Sequence, residues 1–365
     1  MPMIRSPEIH LNGRFLAAPQ TGVQRVAREL IVALDRRLAE DPSPGVVWRL
    51  PHPRGATPPP LAVIEPRVIG GGGGLLWEQG PLGWHSRGDL LINLANTAPL
   101  AHQASILMIH DAQVHESPGS YSRAFRSWYR FMQPRAARRA VRLLTVSGFS
   151  AGELARFGIE GARPAAVVPN GVDHILREAA DASVLDELDL GGRPFVLSFA
   201  SAQAHKNNRL LLEAFGDPRL ADLRLVLVGS NLPEGGPRPP GLRLTGRIDD
   251  RRLRALYEAA LVFAFPSLTE GFGLPPGEAM ACGAPVIAAA AGALPEFYEG
   301  AAVMPLAQDR EAWIAAILRI RDDAGYRGEL AGLGRARAAT LTWDAAAARL
   351  RRVIEEARAE MIARR

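Results

Sequence analysis

The chain has 365 residues, of which 47% are hydrophobic and 22% charged, and its formal net charge is +5. This length suits two domains, and no apolar run is long enough to cross a bilayer, so a globular protein without a membrane span is expected. The N-terminal residues lack the apolar core of a secretory signal, and Cys282 is the single cysteine, which excludes an internal disulfide. These features favour a cytoplasmic protein.

The first half of the chain alternates helical patterns with short apolar runs. Apolar residues recur at helical spacing over residues 22–38. Buried strands are predicted over 90–94, 105–109 and 142–146. The proline-rich stretch 51–60 and the glycine run 70–74 are predicted loops, and the glycine run lacks the Gly-Lys-Ser/Thr ending of a phosphate-binding loop.

One segment of this half, residues 121–142, is strongly basic and aromatic. It has no acidic residue, and its arginines and aromatics are Arg123, Arg126, Arg130, Arg135, Arg138, Arg139, Arg142, Phe125, Trp128, Tyr129 and Phe131. Such a helix can lie on anionic lipid headgroups, with Arg123, Arg126, Trp128 and Arg130 facing the membrane. An ordinary amphipathic helix with a buried aromatic stripe gives the same pattern, and both interpretations hold if the stripe is only partly buried.

The second half repeats the alternation. Strands are predicted over 195–200, 223–228 and 262–265, and helices over 209–215 and 250–260. This order predicts parallel sheets covered on both faces, and therefore an α/β fold with two doubly wound, Rossmann-like domains.

The domain boundary is expected between Gly171 and Arg193, where an apolar segment gives way to a polar, helix-like stretch over 175–190. We place an N-terminal domain over 1–180, completed by a C-terminal helix over 344–365, and a second domain over 181–343. Because ligands bind beyond the carboxyl ends of parallel strands, two such sheets facing each other across a cleft offer a ligand site.

Lys206 is the only lysine in a chain whose other basic residues, histidines aside, are all arginines. The compact ammonium of lysine can bind a phosphate as a point charge, without the planar geometry of an arginine guanidinium. Chance retention of one lysine is the alternative.

The densest chemical signal lies in residues 265–286. A strand ends at Phe265, a turn containing Gly271 and Gly273 follows, and a helix is predicted to begin near Pro276. Two carboxylates, Glu270 and Glu278, flank this turn, and the helix N-terminus adds a positive dipole. A solvated turn with a first-turn glutamate explains Glu278, but not Glu270 and the glycines together.

Other polar residues follow predicted strands. His110 and Asp111 follow the strand over 105–109, although a lone histidine is more often structural. Ser147 and Asn170 also follow apolar segments, where helix capping or a turn is the ordinary explanation.

The Glu270 to Glu278 spacing resembles the paired-glutamate motif of retaining glycosyltransferases of family 4, which have the GT-B fold. The resemblance covers nearly the whole chain in family order, through the segments 12–14, 21–25, 110–111, 145–147, 169–173, 206–207, 245–247, 278–286 and 292–296. It implies a nucleotide diphosphate sugar as donor substrate and an acceptor bound by the N-terminal domain.

Roles follow from this resemblance. Lys206 would hold the donor diphosphate, Glu270 the donor sugar, Glu278 the ribose, and His110, oriented by Asp111, would lie near the anomeric carbon. The catalytic set is then His110, Asp111, Lys206 and Glu270. The donor-binding set is Gly22, Lys206, Arg247, Ile248, Glu270, Gly271, Phe272, Gly273, Leu274 and Glu278. The acceptor-side set is Thr21, Gly22, Ser147 and Asn170.

The chain departs from the family at one point. An arginine that commonly shares the diphosphate is missing, because residues 200–203 read Ala-Ser-Ala-Gln. Arg247, Arg25 or His205 compensates, or the diphosphate is held more loosely.

Two glutamates also suggest a glycosidase. The resemblance instead implies transfer with retention, in which the leaving diphosphate deprotonates the acceptor on the same face of the sugar. No Asp-x-Asp metal clamp is present, since Asp249 and Asp250 are adjacent, and no metal or other cofactor is expected.

The leading hypothesis is transfer of a hexose, with mannose from GDP-mannose as the candidate, to a glycan or polyprenyl-linked glycan in cell-surface polysaccharide or lipopolysaccharide biosynthesis. The protein would be cytoplasmic, with peripheral contact to the inner face of the plasma membrane. A GT-B enzyme making a soluble disaccharide or storage glucan is the alternative. A basic nucleic-acid-binding protein is disfavoured because the arginines are mostly interspersed with acids.

Overall fold

The computed structural model describes residues 8–116 and 121–363. These residues form two compact units. The first comprises residues 8–116, 122–170 and 343–363, and the second comprises Tyr121 and residues 171–342. Each unit is built on a parallel sheet, so the predicted α/β class is confirmed.

The strands are short and largely buried. They are β1 (Glu8–Leu11), β2 (Val47–His52), β3 (Glu65–Val68), β4 (Leu90–Asn93), β5 (Ser105–Met108), β6 (Arg142–Thr145), β7 (Ala166–Val167), β8 (Phe195–Phe199), β9 (Arg224–Val228), β10 (Leu242–Leu244), β11 (Val262–Phe265) and β12 (Val286–Ala288). The six predicted strands are present, each ending within one or two residues of its expected bound. The other strands, β1, β2, β3, β7, β10 and β12, were not predicted, and β2 extends to His52, into the stretch 51–60 that was predicted to be a loop.

The helices are α1 (Gly22–Glu40), α2 (Gly74–Trp77), α3 (Gly83–His85), α4 (Gln113–Glu116), α5 (Arg123–Arg139), α6 (Gly148–Arg156), α7 (Ser183–Glu187), α8 (Asn208–Ala214), α9 (Asp250–Ala259), α10 (Leu274–Ala281), α11 (Leu294–Tyr298), α12 (Arg310–Asp322), α13 (Ala324–Ala338) and α14 (Trp343–Ala363). A π-helical turn, Glu78–Leu82, joins α2 to α3. None of the described helices is both long and apolar enough to span a bilayer.

The first unit has a seven-stranded sheet in the order β3-β2-β1-β4-β5-β6-β7, with every neighbouring pair parallel. Strands β4, β5 and β6 are buried along their whole length, as expected for strands covered on both faces. Helix α14 packs in this unit: Arg37 Nη1 lies 2.8 Å from Asp344 Oδ2, and Arg351 Nη2 lies 2.9 Å from Asp41 Oδ2.

The second unit has a five-stranded sheet in the order β10-β9-β8-β11-β12, again entirely parallel. Its core includes the fully buried residues Trp313, Tyr257 and Phe263. Strand order reverses at β8 and β11, which is the position where open parallel sheets bind ligands.

The polar stretch over 175–190 differs from its predicted form. Only Ser183–Glu187 is α-helical, after a 3-10 turn over Asp173–Leu176. Asp181 Oδ1 accepts hydrogen bonds from Ser183 N (3.2 Å) and Ser183 Oγ (2.7 Å). Such a side-chain contact competes with helix hydrogen bonding and restarts the helix at Ser183.

Candidate functional site

The residues nominated in the second unit lie beyond the carboxyl ends of its strands. Lys206 follows β8, Arg247 and Ile248 follow β10, and Glu270 follows β11. Because the strands are parallel, these ends share one edge of the sheet. Several nominated positions of this unit therefore collect at one edge.

Lys206 and Glu270 form an ion pair at this edge. Lys206 Nζ lies 2.7 Å from Glu270 Oε1, and the same oxygen accepts a hydrogen bond of 2.6 Å from Ser267 Oγ. The Glu270 side chain is 11% exposed and that of Lys206 is 28% exposed, so the pair is reachable from solvent mainly at the ammonium. An ammonium has three N–H donors, so pairing with Glu270 leaves Lys206 two donors for an anionic ligand.

The turn that carries Lys206 is held by backbone contacts to the Glu270 loop. Asn207 adopts a left-handed conformation (φ 53°), and its side-chain Nδ2 donates to the Pro266 carbonyl over 3.1 Å. Leu268 N donates to the His205 carbonyl over 2.7 Å. These two hydrogen bonds hold the loops together on both sides of the ion pair.

Gly292 fixes the backbone of Glu270. It has φ +59°, and a Cβ at this position would lie 2.6 Å from Glu270 N and 2.9 Å from Glu270 O. The next residue, Ala293, donates its N–H to the Glu270 carbonyl over 3.0 Å. Only glycine allows this close approach, so Gly292 is a positioning residue for Glu270.

The glycine-rich turn leads into α10, which begins at Leu274 rather than near Pro276. Gly273 is the N-cap residue with φ +83°, and a Cβ there would lie 2.5 Å from Leu294 Cδ2. Tyr298 Oη donates to the Gly273 carbonyl over 2.7 Å. Phe272 packs inward with its ring centroid 4.3 Å from that of Phe297.

The earlier start of α10 corrects the expected position of Glu278. Glu278 lies in the second turn rather than the first, so the helix dipole does not explain its position. Pro275 and Pro276 have no N–H group, so Leu274 and Gly277 are the only amide donors among the first four residues.

Glu278 is buried between two side chains that the sequence did not single out. Tyr257 Oη donates to Glu278 Oε2 over 3.1 Å, and His174 Nε2 lies 3.1 Å from Glu278 Oε1. Each carboxylate oxygen accepts more than one hydrogen bond, so these contacts leave Glu278 acceptor capacity.

The three candidates for the missing arginine differ in the structure. His205 is buried, and burial, together with the adjacent Lys206 charge, lowers its pKa to about 4. It is therefore neutral near pH 7 and supplies no charge to a diphosphate. Arg247 is exposed and makes no ion pair or hydrogen bond within the described part of the second unit, so its guanidinium is available. Arg25, in the first unit, is partly exposed at the start of α1.

In the first unit, His110 lies beyond the carboxyl end of β5 and is buried. Its Nε2 donates to the Leu94 carbonyl over 2.8 Å, and its backbone N–H donates to Asn96 Oδ1 over 2.8 Å. Burial lowers its pKa to about 4, so the imidazole is neutral at pH 7. With Nε2 as donor, Nδ1 is the acceptor nitrogen. Asp111 Oδ1 accepts from Gln113 N over 3.0 Å, and the Leu94 carbonyl orients the His110 ring.

A buried polar network at the same edge was not predicted as a unit. Glu78 Oε1 accepts from Asn12 Nδ2 (2.7 Å), Arg14 Nε (3.0 Å) and Thr97 Oγ1 (2.9 Å). Asn12 Nδ2 also donates to Asn93 Oδ1 over 2.9 Å. The Asn-Gly-Arg segment was noted in the sequence, but its partner Glu78 lies in a π-helical turn that no sequence pattern marks.

The acceptor-side candidates occupy different environments. Thr21 caps α1, and Gly22, its first residue, is exposed with open space where a Cβ would lie. Ser147 is fully buried and caps α6, with its Oγ accepting from Ser150 N over 2.9 Å. Asn170 is buried, and its Oδ1 has no hydrogen-bond partner among residues 8–116 and 121–363. The predicted acceptor roles of these residues remain predictions.

The basic aromatic segment forms α5. Arg123 and Arg130 are exposed and Arg126 is partly buried. Phe125 and Phe131 are 40% and 47% exposed. Trp128 departs from its expected membrane-facing position, because it is partly buried against the core formed by Met132, Ala136 and neighbouring residues. The exposed aromatics are therefore Phe125 and Phe131, the buried part of the stripe fits an ordinary amphipathic helix, and membrane contact remains a prediction.

Comparison with known proteins agrees with this architecture. The family model for glycosyl transferases group 1 matches residues 193–323, and the model for glycosyltransferase family 4 matches residues 84–175. Among solved structures, sucrose-phosphate synthase from Thermosynechococcus elongatus superposes with a TM-score of 0.71 at 21% identity, covering 97% of this chain and all of that one. Anabaena HepE in complex with UDP and glucose superposes with a TM-score of 0.70 at 17% identity, covering 96% of this chain and all of that one. The fold is of the GT-B type, as predicted.

Curated relatives are more similar in sequence. The O-antigen chain mannosyltransferase B of Escherichia coli is 33% identical over 217 residues, covering 55% of this chain and 57% of that protein. The MMP alpha-(1->4)-mannosyltransferase of Mycolicibacterium hassiacum is 34% identical over 255 residues, covering 65% and 60%. The D-inositol 3-phosphate glycosyltransferase of Actinosynnema mirum is 31% identical over 293 residues, covering 73% and 68%.

The chain therefore belongs to glycosyltransferase family 4, the glycosyl transferases group 1. It spans less than two thirds of the length of the first two of these relatives.

Proposed function

We propose that the protein is a retaining glycosyltransferase that moves a hexose from a nucleotide diphosphate sugar to a glycan or lipid-linked glycan. The observation that carries this proposal is the Lys206–Glu270 pair at the carboxyl edge of the second sheet. A cation for a diphosphate and a carboxylate for sugar hydroxyls lie side by side there, next to a turn whose glycines admit a ligand closely.

Mannose is the proposed hexose and GDP-mannose the proposed donor. Two relatives at 33% and 34% identity are named mannosyltransferases, and one of these acts on an O-antigen chain by its name. Cell-surface polysaccharide or lipopolysaccharide assembly is the corresponding process for this chain.

In the proposed reaction, the bond between the anomeric carbon and the diphosphate oxygen breaks, and its electron pair leaves with the diphosphate. The acceptor hydroxyl bonds to the same face of the sugar, and its proton passes to the departing phosphate oxygen. Lys206 and the exposed Arg247 guanidinium stabilise the charge that accumulates on the diphosphate. With the charge of the diphosphate stabilised in this way, the proposed reaction requires no metal ion.

Glu270, Glu278 and His110 hold the donor in this proposal. Glu270 accepts hydrogen bonds from sugar hydroxyls, and Glu278 accepts from the ribose. The Nδ1 atom of the neutral His110 accepts a hydrogen bond from a sugar hydroxyl, because its Nε2 donates to the Leu94 carbonyl. A neutral imidazole is suited to this role, since a cation near the anomeric carbon would oppose the positive charge of an oxocarbenium-like transition state.

The acceptor is proposed to be a polyprenyl-linked glycan reached from the cytoplasmic face of the membrane. The exposed Phe125 and Phe131 of α5, with the exposed Arg123 and Arg130, support peripheral contact with anionic lipid. Acceptor recognition is assigned to loops of the first unit, including Thr21 and Gly22.

The test is a transfer assay with GDP-mannose, UDP-glucose and UDP-N-acetylglucosamine, each offered a polyprenyl-linked glycan or a soluble sugar acceptor. The expected result is mannosyl transfer to the lipid-linked acceptor, with the donor's α configuration kept in the product by NMR of the anomeric proton. An inverted product would refute retention. Transfer only to soluble sugars would favour the soluble-disaccharide alternative, and no transfer from any donor would refute the proposal.

A further inference from the structure

A second cluster of chemically active side chains lies at the opposite, amino-terminal edge of the first sheet. Glu8 is the first residue of β1, His10 lies two residues further along it, and Asp89 directly precedes β4. Strands β1 and β4 are parallel neighbours, with His10 opposite Leu91, so their starting ends share this edge. The cluster is at the other end of the strands from His110 and Asn12.

The three donor groups are close enough to share one ion. His10 Nε2 lies 3.4 Å from Glu8 Oε2 and 3.4 Å from Asp89 Oδ2, and the three ligand atoms all lie within 4.8 Å of one another. In a tetrahedral site with metal–ligand bonds of about 2.0–2.1 Å, neighbouring ligand atoms are about 3.3–3.4 Å apart. The His10–carboxylate spacings match that edge length.

His10 offers a buried imidazole to such an ion. The side chain is fully buried, and neither Nδ1 nor Nε2 has a hydrogen-bond partner among the described residues. Buried imidazoles normally satisfy both nitrogens, so an orphaned pair requires an explanation. Nε2 is directed between the two carboxylates, which is where a cation would lie.

A protonated His10 bridging the two carboxylates is the competing explanation. Such a bridge would place hydrogen bonds between Nε2 and the carboxylates, whereas Nε2 lies 3.4 Å from Glu8 Oε2 and from Asp89 Oδ2 without a hydrogen bond to either. Arg49 offsets part of the charge, with its Nε 3.7 Å from Glu8 Oε2, but its Nη1 is paired with Glu65.

We propose that Glu8, His10 and Asp89 form a binding site for a divalent transition-metal ion, with Zn²⁺ as the best match. One imidazole and two carboxylates suit Zn²⁺, whereas Mg²⁺ and Ca²⁺ prefer oxygen ligands alone. Water or the exposed His85 supplies the fourth ligand; the His85 ring centroid lies 5.5 Å from that of His10.

The role of this ion is structural. It clamps the starts of β1 and β4 together and takes no part in the transfer, since the nominated catalytic residues of this unit follow the other ends of the strands. Metal binding to the native state raises stability by mass action.

The experiment uses the full chain stripped with EDTA and then dialysed against ZnCl₂ and metal-free buffer. Metal content is measured by mass spectrometry, the thermal midpoint Tm by calorimetry, and site geometry by the visible spectrum of the Co²⁺ form. The wild type is expected to keep one equivalent of Zn²⁺, to gain about 5 °C in Tm, and to give a tetrahedral Co²⁺ spectrum.

The primary variant is Asp89→Asn, because this carboxylate is partly exposed and its isosteric amide preserves the fold more safely than a change at the buried His10. It is expected to lose the bound Zn²⁺ and the Tm gain while keeping the metal-free Tm within a few degrees. Glu65→Gln is the matched control, since Glu65 lies on β3, which β2 separates from β1, pairs with Arg49 and is outside the cluster. It is expected to bind Zn²⁺ like the wild type.

Two results would overturn the proposal. One is a wild type that retains no Zn²⁺ under these conditions. The other is equal Zn²⁺ retention by the wild type and Asp89→Asn, which would place the ion elsewhere. Cys282 does not compete for the ion, because burial raises the pKa of its thiol to about 12.

Discussion

Replacing Lys206 by alanine tests two roles of its ion pair with Glu270, one in stability and one in catalysis. The change removes the ammonium 2.7 Å from Glu270 Oε1 and leaves that carboxylate, which is nearly buried, with Ser267 Oγ as the remaining donor at this oxygen. Leaving a buried acceptor without one of its donors costs about 1–3 kcal/mol. Because this pair is partly exposed, we expect the free energy of unfolding to fall by about 1–2 kcal/mol. For a unit of this size, Tm is expected to fall by about 2–8 °C.

Catalysis is expected to suffer more than stability. If Lys206 stabilises the leaving diphosphate, kcat/KM falls by about 100- to 1,000-fold, as for the loss of one preorganised transition-state donor. Lys206→Arg is expected to restore the charge and only part of the activity, because a planar guanidinium is larger and aims its donors differently. The assays are calorimetry and initial-rate kinetics of hexose transfer.

A double variant sharpens the test. Glu270→Gln in the Lys206→Ala background removes the stranded charge, so Tm is expected to recover while transfer stays lost. Arg209→Ala is the control, since it breaks an exposed Arg209–Glu213 pair on the adjacent helix and is expected to change stability by less than about 0.5 kcal/mol. A Lys206→Ala protein with unchanged Tm and activity within threefold of the wild type would contradict both roles assigned to Lys206.

Three further predictions follow from local geometry. Gly292→Ala places a Cβ against the Glu270 backbone and is expected to lower kcat/KM by about 100-fold, measured by initial rates, because Glu270 is displaced. Burial of His110 lowers its pKa from 6.5 to about 4, so the unfolded chain binds a proton that the native protein does not between these pH values. The contribution of His110 to the free energy of unfolding is fully present above pH 6.5 and falls by about 3 kcal/mol as the pH drops toward 4. Denaturant titration of the wild type and of His110→Gln at a series of pH values measures this contribution. Serine at both Phe125 and Phe131 is expected to reduce co-sedimentation with anionic vesicles by about 10-fold or more.

Two of these predictions have a matched control variant, and the third has a contradicting outcome. Gly300→Ala carries the same backbone strain as Gly292→Ala (φ +78°) but meets nothing within 4 Å, so activity is expected to persist. An unchanged pH slope in His110→Gln would contradict the buried neutral imidazole. Trp84→Ser removes an aromatic that is 79% exposed outside α5, and equal loss of vesicle binding there would argue against a specific α5 contact.

Sequence patterns predicted the buried central strands, because these are nearly continuous apolar runs, but missed exposed or half-buried strands such as β3 and β10. The predicted strand over 262–265 is β11 to the residue. Helix ends were predicted less well, because they depend on side-chain caps and strained glycines. Gly273 starts α10 two residues early, and Asp181 interrupts the helix expected over 175–190.

The candidate site was predictable only where its residues are close in sequence. The Glu270 to Glu278 spacing marked the loop, but the contacts of Glu278 with Tyr257 and His174 join distant segments. Trp128 shows the same limit, because a helical pattern does not reveal which part of an aromatic stripe faces the core.

The most direct test of the central claim is donor binding by saturation-transfer NMR with GDP-mannose, UDP-glucose and UDP-N-acetylglucosamine. We expect saturation of the mannose and nucleotide protons of GDP-mannose, in preference to the other donors, and a clearly weaker signal with Lys206→Ala. Binding of none of these nucleotide sugars, or binding that is identical in Lys206→Ala, would contradict it.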